Sequence, residues 1–229
     1  KLCGQSDNNR DPMSDKKSKY WDEYYGALKS SNEGHMPPSQ FAAFCRAELM
    51  QLNIYQLTEI ASGDGRDSIF FAQQGLHIVA LDKSVNAVDL LKNKASLYKR
   101  LSVEKIDVVD GIFPAPDFQD SACAYYARFF IHTLDEKQLF RFFKNLSKAM
   151  GQSDYFFTEY RNDKDETLDK ATSNHFRKFY KANYVTAIAN ENNFKCIYEI
   201  EGQGFAKWNV DDAFVTRQIY IKNGISNGR

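Results

Sequence analysis

The sequence predicts an α/β domain: an open, seven-stranded, mostly parallel sheet with helices on both faces and an antiparallel hairpin at its C-terminal end. Three observations predict it. From Leu57 onward, short apolar runs alternate with stretches of helical period, the arrangement of successive strand–helix units. The run Leu57–Ala61 passes through Ser62-Gly63-Asp64-Gly65 into Arg66-Asp67-Ser68, which reads as strand, glycine-rich turn and helix start. A second apolar run, His77 to Leu81, closes on Asp82, seventeen residues beyond Gly65.

The elements follow in order. An aromatic cluster at helical spacing, Tyr20-Trp21-Asp22-Glu23-Tyr24-Tyr25, opens the folded region, and a Gly34/Pro37/Pro38 break ends it. Ser39 can cap a helix that carries Phe41, Phe44, Cys45 and Leu49 on one face. Strands are expected at Leu57–Ala61, Ile78–Leu81, Val103–Val109, Ala122–Ala127 and Tyr155–Glu159. Helices are expected at Asp67–Gln74, Val85–Lys99, Glu136–Met150 and, as one long stretch, Asn174–Asn192. Phe194–Glu201 and Phe214–Lys222 read as the final hairpin.

Composition narrows the function classes. The 229 residues fit one domain, with 43% apolar and 26% charged residues. Thirty basic residues balance thirty acidic ones, and no basic arm is present, so a nucleic-acid footprint is not expected. No apolar run reaches the ~18 residues of a membrane span, and no signal peptide is visible; a cytoplasmic location follows as the expectation. Cys3, Cys45, Cys123 and Cys196 are scattered, which points to reduced thiols and to no metal site. Residues 1–18 are polar and are expected to be a disordered linker to an upstream domain or a cloning remnant. The catalytic domain is then 19–229, with a helical lid over 19–53.

A dinucleotide site would want Gly-x-Gly-x-x-Gly, so that a pyrophosphate can rest on the helix N-terminus. Here the third glycine position is Ser68, Glu59 precedes the turn, and Asp67 would repel a pyrophosphate. An acidic turn suits a cofactor bearing an amino group and a sulfonium. The pattern Glu59-x-Ala61-x-Gly63-x-Gly65 resembles motif I of class I S-adenosylmethionine (SAM) methyltransferases, departing from it at Ala61, where the family has glycine. The resemblance implies a Rossmann-like sheet, SAM as cofactor, and a small-molecule acceptor.

In open α/β sheets, ligands bind beyond the carboxyl ends of the strands, so the residues after each strand are the candidates. Asp82, Lys83 and Ser84 follow the second strand. Asp82 can accept from ribose hydroxyls or cap the next helix, and Ser84 is better suited to the capping. Asp110-Gly111-Ile112 follow the third expected strand and resemble the adenine-holding segment; Asp-Gly is equally a common turn. Ala127 and Arg128 close the fourth strand. Arg128-Phe129-x-x-His132, with Gly65-Arg66-Asp67-Ser68 and Pro38-Ser39-Gln40-Phe41-Ala42, resembles a subgroup of these enzymes associated with surface polysaccharides and phosphorus-containing metabolites. By that resemblance Tyr20, Trp21 and Ser39 contact the cofactor.

Methyl transfer needs alignment and a nucleophile with a free lone pair. His132 is the candidate base, with backbone hydrogen bonding as its structural alternative. Arg161, Arg177 and Lys178 favour an anionic acceptor, and a planar guanidinium suits phosphoryl oxygens. Arg128 is a candidate site residue too, expected to pair with Asp67 or Glu59, with a substrate clamp as its alternative. The function expected is O-methylation of a small polar acceptor, sugar-linked or phosphorus-bearing. The rivals are N-methylation of a small amine and a non-catalytic module. The oligomeric state is left open.

Overall fold

The computed structural model describes residues 12–28, 37–115, 121–171, 175–208 and 210–223, with side chains from 19 onward. Gly34, Cys3 and Asn174 lie outside the described residues. The elements are α1 (Pro12–Leu28), α2 (Gln40–Gln51), β1 (Gln56–Ile60), α3 (Arg66–Gln73), β2 (His77–Asp82), α4 (Val85–Ala95), β3 (Leu101–Lys105), β4 (Ala124–Arg128), α5 (Glu136–Ala149), β5 (Tyr155–Arg161), α6 (Ala182–Glu191), β6 (Phe194–Gly202), β7 (Lys207–Trp208), β8 (Asp211–Asp212) and β9 (Val215–Lys222).

The main sheet has seven strands in the order β3-β2-β1-β4-β5-β9-β6. The first five pair in parallel, and β9 lies antiparallel between β5 and β6. Strands β1, β2, β4 and β5 are buried on both faces, which is why they read as continuous apolar runs rather than alternations. One apolar layer joins Ile60, Tyr125, Phe142, Phe143 and Phe156 beneath α5 and α6. The other joins Phe41, Leu49, Leu57, Phe71 and Leu91 beneath α2, α3 and α4. Strand order reverses between β1 and β4, and the crevice at such a switch point is where an open α/β sheet holds its ligand.

Four departures from the sequence expectation bear on the site. Strand β3 ends at Lys105, not Val109. The long helix expected from Asn174 starts only at Ala182, and Tyr180 instead bridges to Asn162 in an extended conformation. The small antiparallel pair β7–β8 interrupts the expected terminal hairpin. Helix α1 begins at Pro12, inside the stretch expected to be disordered.

Candidate active site

The carboxyl ends of β1, β2, β4 and β5 open into a cavity of about 1300 Å³. That exceeds the ~300–1,000 Å³ of an ordinary single-ligand site and leaves room for two small molecules. Its two halves differ in chemistry.

On the β1–β3 side the turn over residues 61–64 forms the floor. Asp82 Oδ2 accepts from Gly63 N at 2.9 Å, and its Oδ1 accepts from Ser84 N at 2.8 Å. The carboxylate is 8% exposed, and burial raises its pKa. Gly63 has φ +56°, and a Cβ there would lie 2.3 Å from the Tyr25 hydroxyl, so glycine lets α1 close on the turn. Ala61 takes the left-handed conformation too (φ +55°), so the chain follows the path a glycine would take at a steric cost of about 1 kcal/mol.

Several expected contacts move. Gly65 caps α3 at φ +80° and its missing side chain makes room for Leu91, so its role is in packing, off the cavity wall. Ser84 caps α4, accepting from Ala87 N, and donates to Asp22; it too lies off the wall. Lys83 is on the wall, while Ala127 is wholly buried behind it. Asp110, Gly111 and Ile112 do not line the cavity: Asp110 pairs with Arg141 at 2.9 Å near the surface, and Ile112 is 90% exposed. Because β3 ends at Lys105, the residue that follows the strand at the crevice is Asp107, flanked on the wall by Ile106 and Val108.

Glu59 at the end of β1 and Asp67 at the start of α3 flank the turn and interact electrostatically. Glu59 accepts from Ser68 Oγ, and burial beside Asp67 pushes its carboxyl well above the usual range. Asp67 accepts from Ser39 N (2.8 Å), Ser39 Oγ (2.7 Å) and Tyr126 Oη (2.7 Å), joining the start of α2 to α3 and β4. From α1, Tyr20 stacks on His175 with ring centres 4.6 Å apart, and Trp21 meets the same imidazole edge-on at 4.9 Å. All of Tyr20, Trp21, Ser39, Glu59, Ala61 and Asp67 line the cavity.

On the β4–β5 side, Arg128 does not pair with Asp67 or Glu59. Its Nε donates to Glu159 Oε1 at 2.9 Å, while Arg217 Nε donates to Oε2 of the same fully buried carboxylate at 2.8 Å. Arg161, the expected acceptor clamp, is 5% exposed and has both terminal nitrogens committed: Nη1 to Asp165 (2.8 Å) and Nη2 to Asp211. Phe129 sits between the two arginines at φ +54°, with guanidinium carbons 4.1 Å (Arg128) and 5.2 Å (Arg161) from its ring centre. A bulky residue in that backbone region is rare and held by its surroundings; here its N–H donates to Glu159 O at 2.8 Å.

His132 lines the cavity and is 3% exposed. Its Nδ1 accepts from Arg161 N at 3.3 Å, so the neutral ring carries its proton on Nε2. Burial, then the charges of Arg161 and Arg177, hold its pKa well below the ordinary value. The nitrogen left over is therefore a hydrogen-bond donor, which does not suit the expected role of base. Asp107, Phe129, Tyr25 and Asp211 are wall residues that the sequence reading did not single out. For Asp211 the only signal was an acidic stretch ahead of Arg217.

No protein-family model and no curated protein matches this sequence. Solved structures do match. A SAM-dependent methyltransferase from Clostridium acetobutylicum is 11% identical, with a TM-score of 0.64 over 90% of this chain and 99% of that one. The CcbJ methyltransferase from Streptomyces caelestis is 11% identical, with a TM-score of 0.66 over 90% and 98%. Magnesium protoporphyrin IX methyltransferase from Synechocystis, solved with bound S-adenosylhomocysteine (SAH), is 12% identical, with a TM-score of 0.61 over 97% and 90%. The parallel sheet closed by an antiparallel β9, together with these likenesses, gives this chain the fold of the class I SAM-dependent methyltransferases.

Proposed function

We propose that this protein is a SAM-dependent methyltransferase that O-methylates a small polar acceptor carrying an anionic group. The observation that carries the reading is Asp82: a buried carboxylate at the end of β2, tied to the Gly63 turn and lining a cavity large enough for two molecules. In this reading Asp82 takes the ribose hydroxyls, Asp107 and its apolar neighbours take the adenine, and the Ala61–Gly63 turn lies under the amino-acid end. Tyr20, Trp21 and Tyr25 close the front. SAM supplies an electrophilic methyl group on a sulfonium.

The residues of the β4–β5 side would then bind the acceptor. Phe129, held rigidly between two guanidiniums, gives that wall a fixed apolar surface. His132 presents a donor. Arg177 lines the same region, and burial and the nearby Arg161 charge lower its pKa, with Asp165 and Asp211 opposing. A cation half-buried against another cation gains from an anion, which supports a phosphate or a similar group on the acceptor. The subgroup resemblance adds sugar-linked and phosphorus-bearing metabolites as the class to try first. A solved neighbour titled a glycopeptide N-methyltransferase, complexed with sinefungin, shares this fold, so the fold does not choose between oxygen and nitrogen.

The test is SAH formation from SAM with panels of hydroxyl-, phosphate- and amine-bearing compounds, beside calorimetric SAM and SAH binding. Binding with turnover on oxygen acceptors is the expected result. No binding of SAM or SAH, or binding of a nicotinamide dinucleotide in their place, would refute it.

A further inference from the structure

Asp211 belongs to the β7–β8 pair inserted between β6 and β9, and it lines the cavity beside Arg161. Its side chain is nearly buried, at 4% residue exposure. Oδ2 is engaged, accepting from Arg161 Nη2 and from Ala171 N at 3.0 Å. Oδ1 has no hydrogen-bond partner. Among the described cavity-lining residues, only Ser62 shares that state, and Ser62 stands in the motif I turn on the cofactor side. Buried carboxylate oxygens are normally satisfied, so an unsatisfied one on a cavity wall marks where a ligand donor is wanted.

We propose that Asp211 Oδ1 binds the methyl acceptor by taking a hydrogen bond from one of its hydroxyl groups. The proposal rests on the methyltransferase reading above and narrows its acceptor. Arg161 supplies the geometric reason. Its backbone N–H fixes His132 Nδ1, which leaves Nε2–H as a donor, and its side chain fixes Asp211 Oδ2, which leaves Oδ1 as an acceptor. One residue thus holds a donor and an acceptor on the same wall. A hydroxyl can use both, accepting from one and donating to the other. An ammonium would satisfy Asp211 but has no lone pair to accept from the His132 N–H, and it would face the Arg177 guanidinium on the same wall. The acceptor class is therefore a small hydroxyl compound with an anionic group.

The substitution that tests this is Asp211→Asn. Arg161 Nη2 and Ala171 N both donate to the Oδ2 position, so the amide oxygen stays there and an NH₂ replaces Oδ1, inverting the polarity that the cavity sees. The probes are ribose 5-phosphate and propyl phosphate, which lacks hydroxyls, titrated into SAH-saturated protein and followed by ligand-observed NMR. Wild-type protein should bind ribose 5-phosphate more tightly than propyl phosphate. D211N should lose about 10- to 100-fold in ribose 5-phosphate affinity, the range for a hydrogen bond to a charged group. Propyl phosphate affinity should not fall, because loss of the Asp211 charge leaves Arg161 and Arg177 more positive toward it, and SAH affinity should not change. Equal binding of the two phosphates by the wild type, or undiminished ribose 5-phosphate binding by D211N, would overturn the proposal. Failure of the wild type to bind SAH would instead sink the methyltransferase reading. If D211N does not fold, Asp211→Glu keeps the charge for Arg161 but moves the free oxygen by one methylene, and the same selective loss is expected.

Discussion

Glu159→Gln is the perturbation whose size the structure specifies best. Glu159 is fully buried at the end of β5, with one oxygen facing Arg128 and the other facing Arg217, whose side chains are 18% and 8% exposed. Glutamine keeps one carbonyl oxygen and turns its NH₂ toward the second guanidinium. Arg217 has Phe205 O as a further acceptor at 2.8 Å and is boxed by Phe41, Phe44 and Phe205. Arg128 borders the cavity, where water can reach it. Removing one partner of a buried pair costs about 3–5 kcal/mol; water at Arg128 sets this case near the lower end, at about 3 kcal/mol. For a chain of this length that is a fall in Tm of roughly 6–12 °C. Calorimetry and urea unfolding followed by tryptophan fluorescence would measure it, with Glu136→Gln at the exposed Lys178 pair as a control expected to cost less than about 0.5 kcal/mol. SAH affinity should be unaffected. A loss below about 1 kcal/mol would refute the reasoning, because it would mean that Glu159 is not the charge that balances both arginines.

Three further outcomes follow from the same geometry. Asp107→Ala should weaken SAH binding by about 1–2 kcal/mol while Asp110→Ala leaves it unchanged, as read by isothermal calorimetry; the reverse pattern would restore the sequence assignment. The unfolded chain protonates His132 near pH 6.5 and the folded chain only well below that, so stability due to this residue is intact above that pH and falls on acidification by up to about 1.4 kcal/mol per pH unit. His132→Asn should remove this component, seen as a shallower decline in Tm between about pH 7 and about pH 5; parallel declines would contradict the assigned neutral ring. Asp22 accepts from Ser84 Oγ (2.7 Å) and Asn86 N (3.1 Å), tying α1 to α4, so Asp22→Ala should speed proteolysis within α1 and SAH dissociation several-fold, without lowering the Tm of the core by more than about 1 kcal/mol equivalent. An unchanged dissociation rate would mean that α1 does not gate the cofactor.

The sheet and the turn after β1 were legible because both rest on short-range patterns. Apolar runs and glycine placement are read within single windows, and Asp82, which closes β2, stands seventeen residues beyond Gly65. The third strand was placed too late because Ile106, Val108 and Val109 are as apolar as a strand, yet they turn inward after Lys105, and Val108 and Val109 pack in the core. That shift moved the acid assigned to follow the third strand from Asp107, which lines the cavity, to Asp110, which does not. The segment from His175 to Tyr180 has helical spacing, but its backbone bonds go to other elements and not along a helix, with Lys178 N donating to His132 O at 2.7 Å and Tyr180 bridging to Asn162. Arg161 read as a free cation because its second carboxylate partner, Asp211, is fifty residues away in sequence. Charge pairing across such distances leaves no periodic trace, so the β4–β5 side of the cavity was much less legible than the β1–β3 side.

The Asp67 carboxylate has a consequence for how anything enters the cavity. With Ser39 N, Ser39 Oγ and the Tyr126 hydroxyl all bound to it, the first turn of α2 is anchored to β4 and α3 as part of the sheet body. Helix α2 also buries Phe41, Cys45 and Leu49 in the core. Under the proposed function, the element free to move aside for a cofactor is therefore α1 and not α2, and it carries Tyr20, Trp21 and Tyr25. One acid, Asp67, thus fixes the α2 side of the cavity mouth, and the aromatic face of α1 forms the side opposite it.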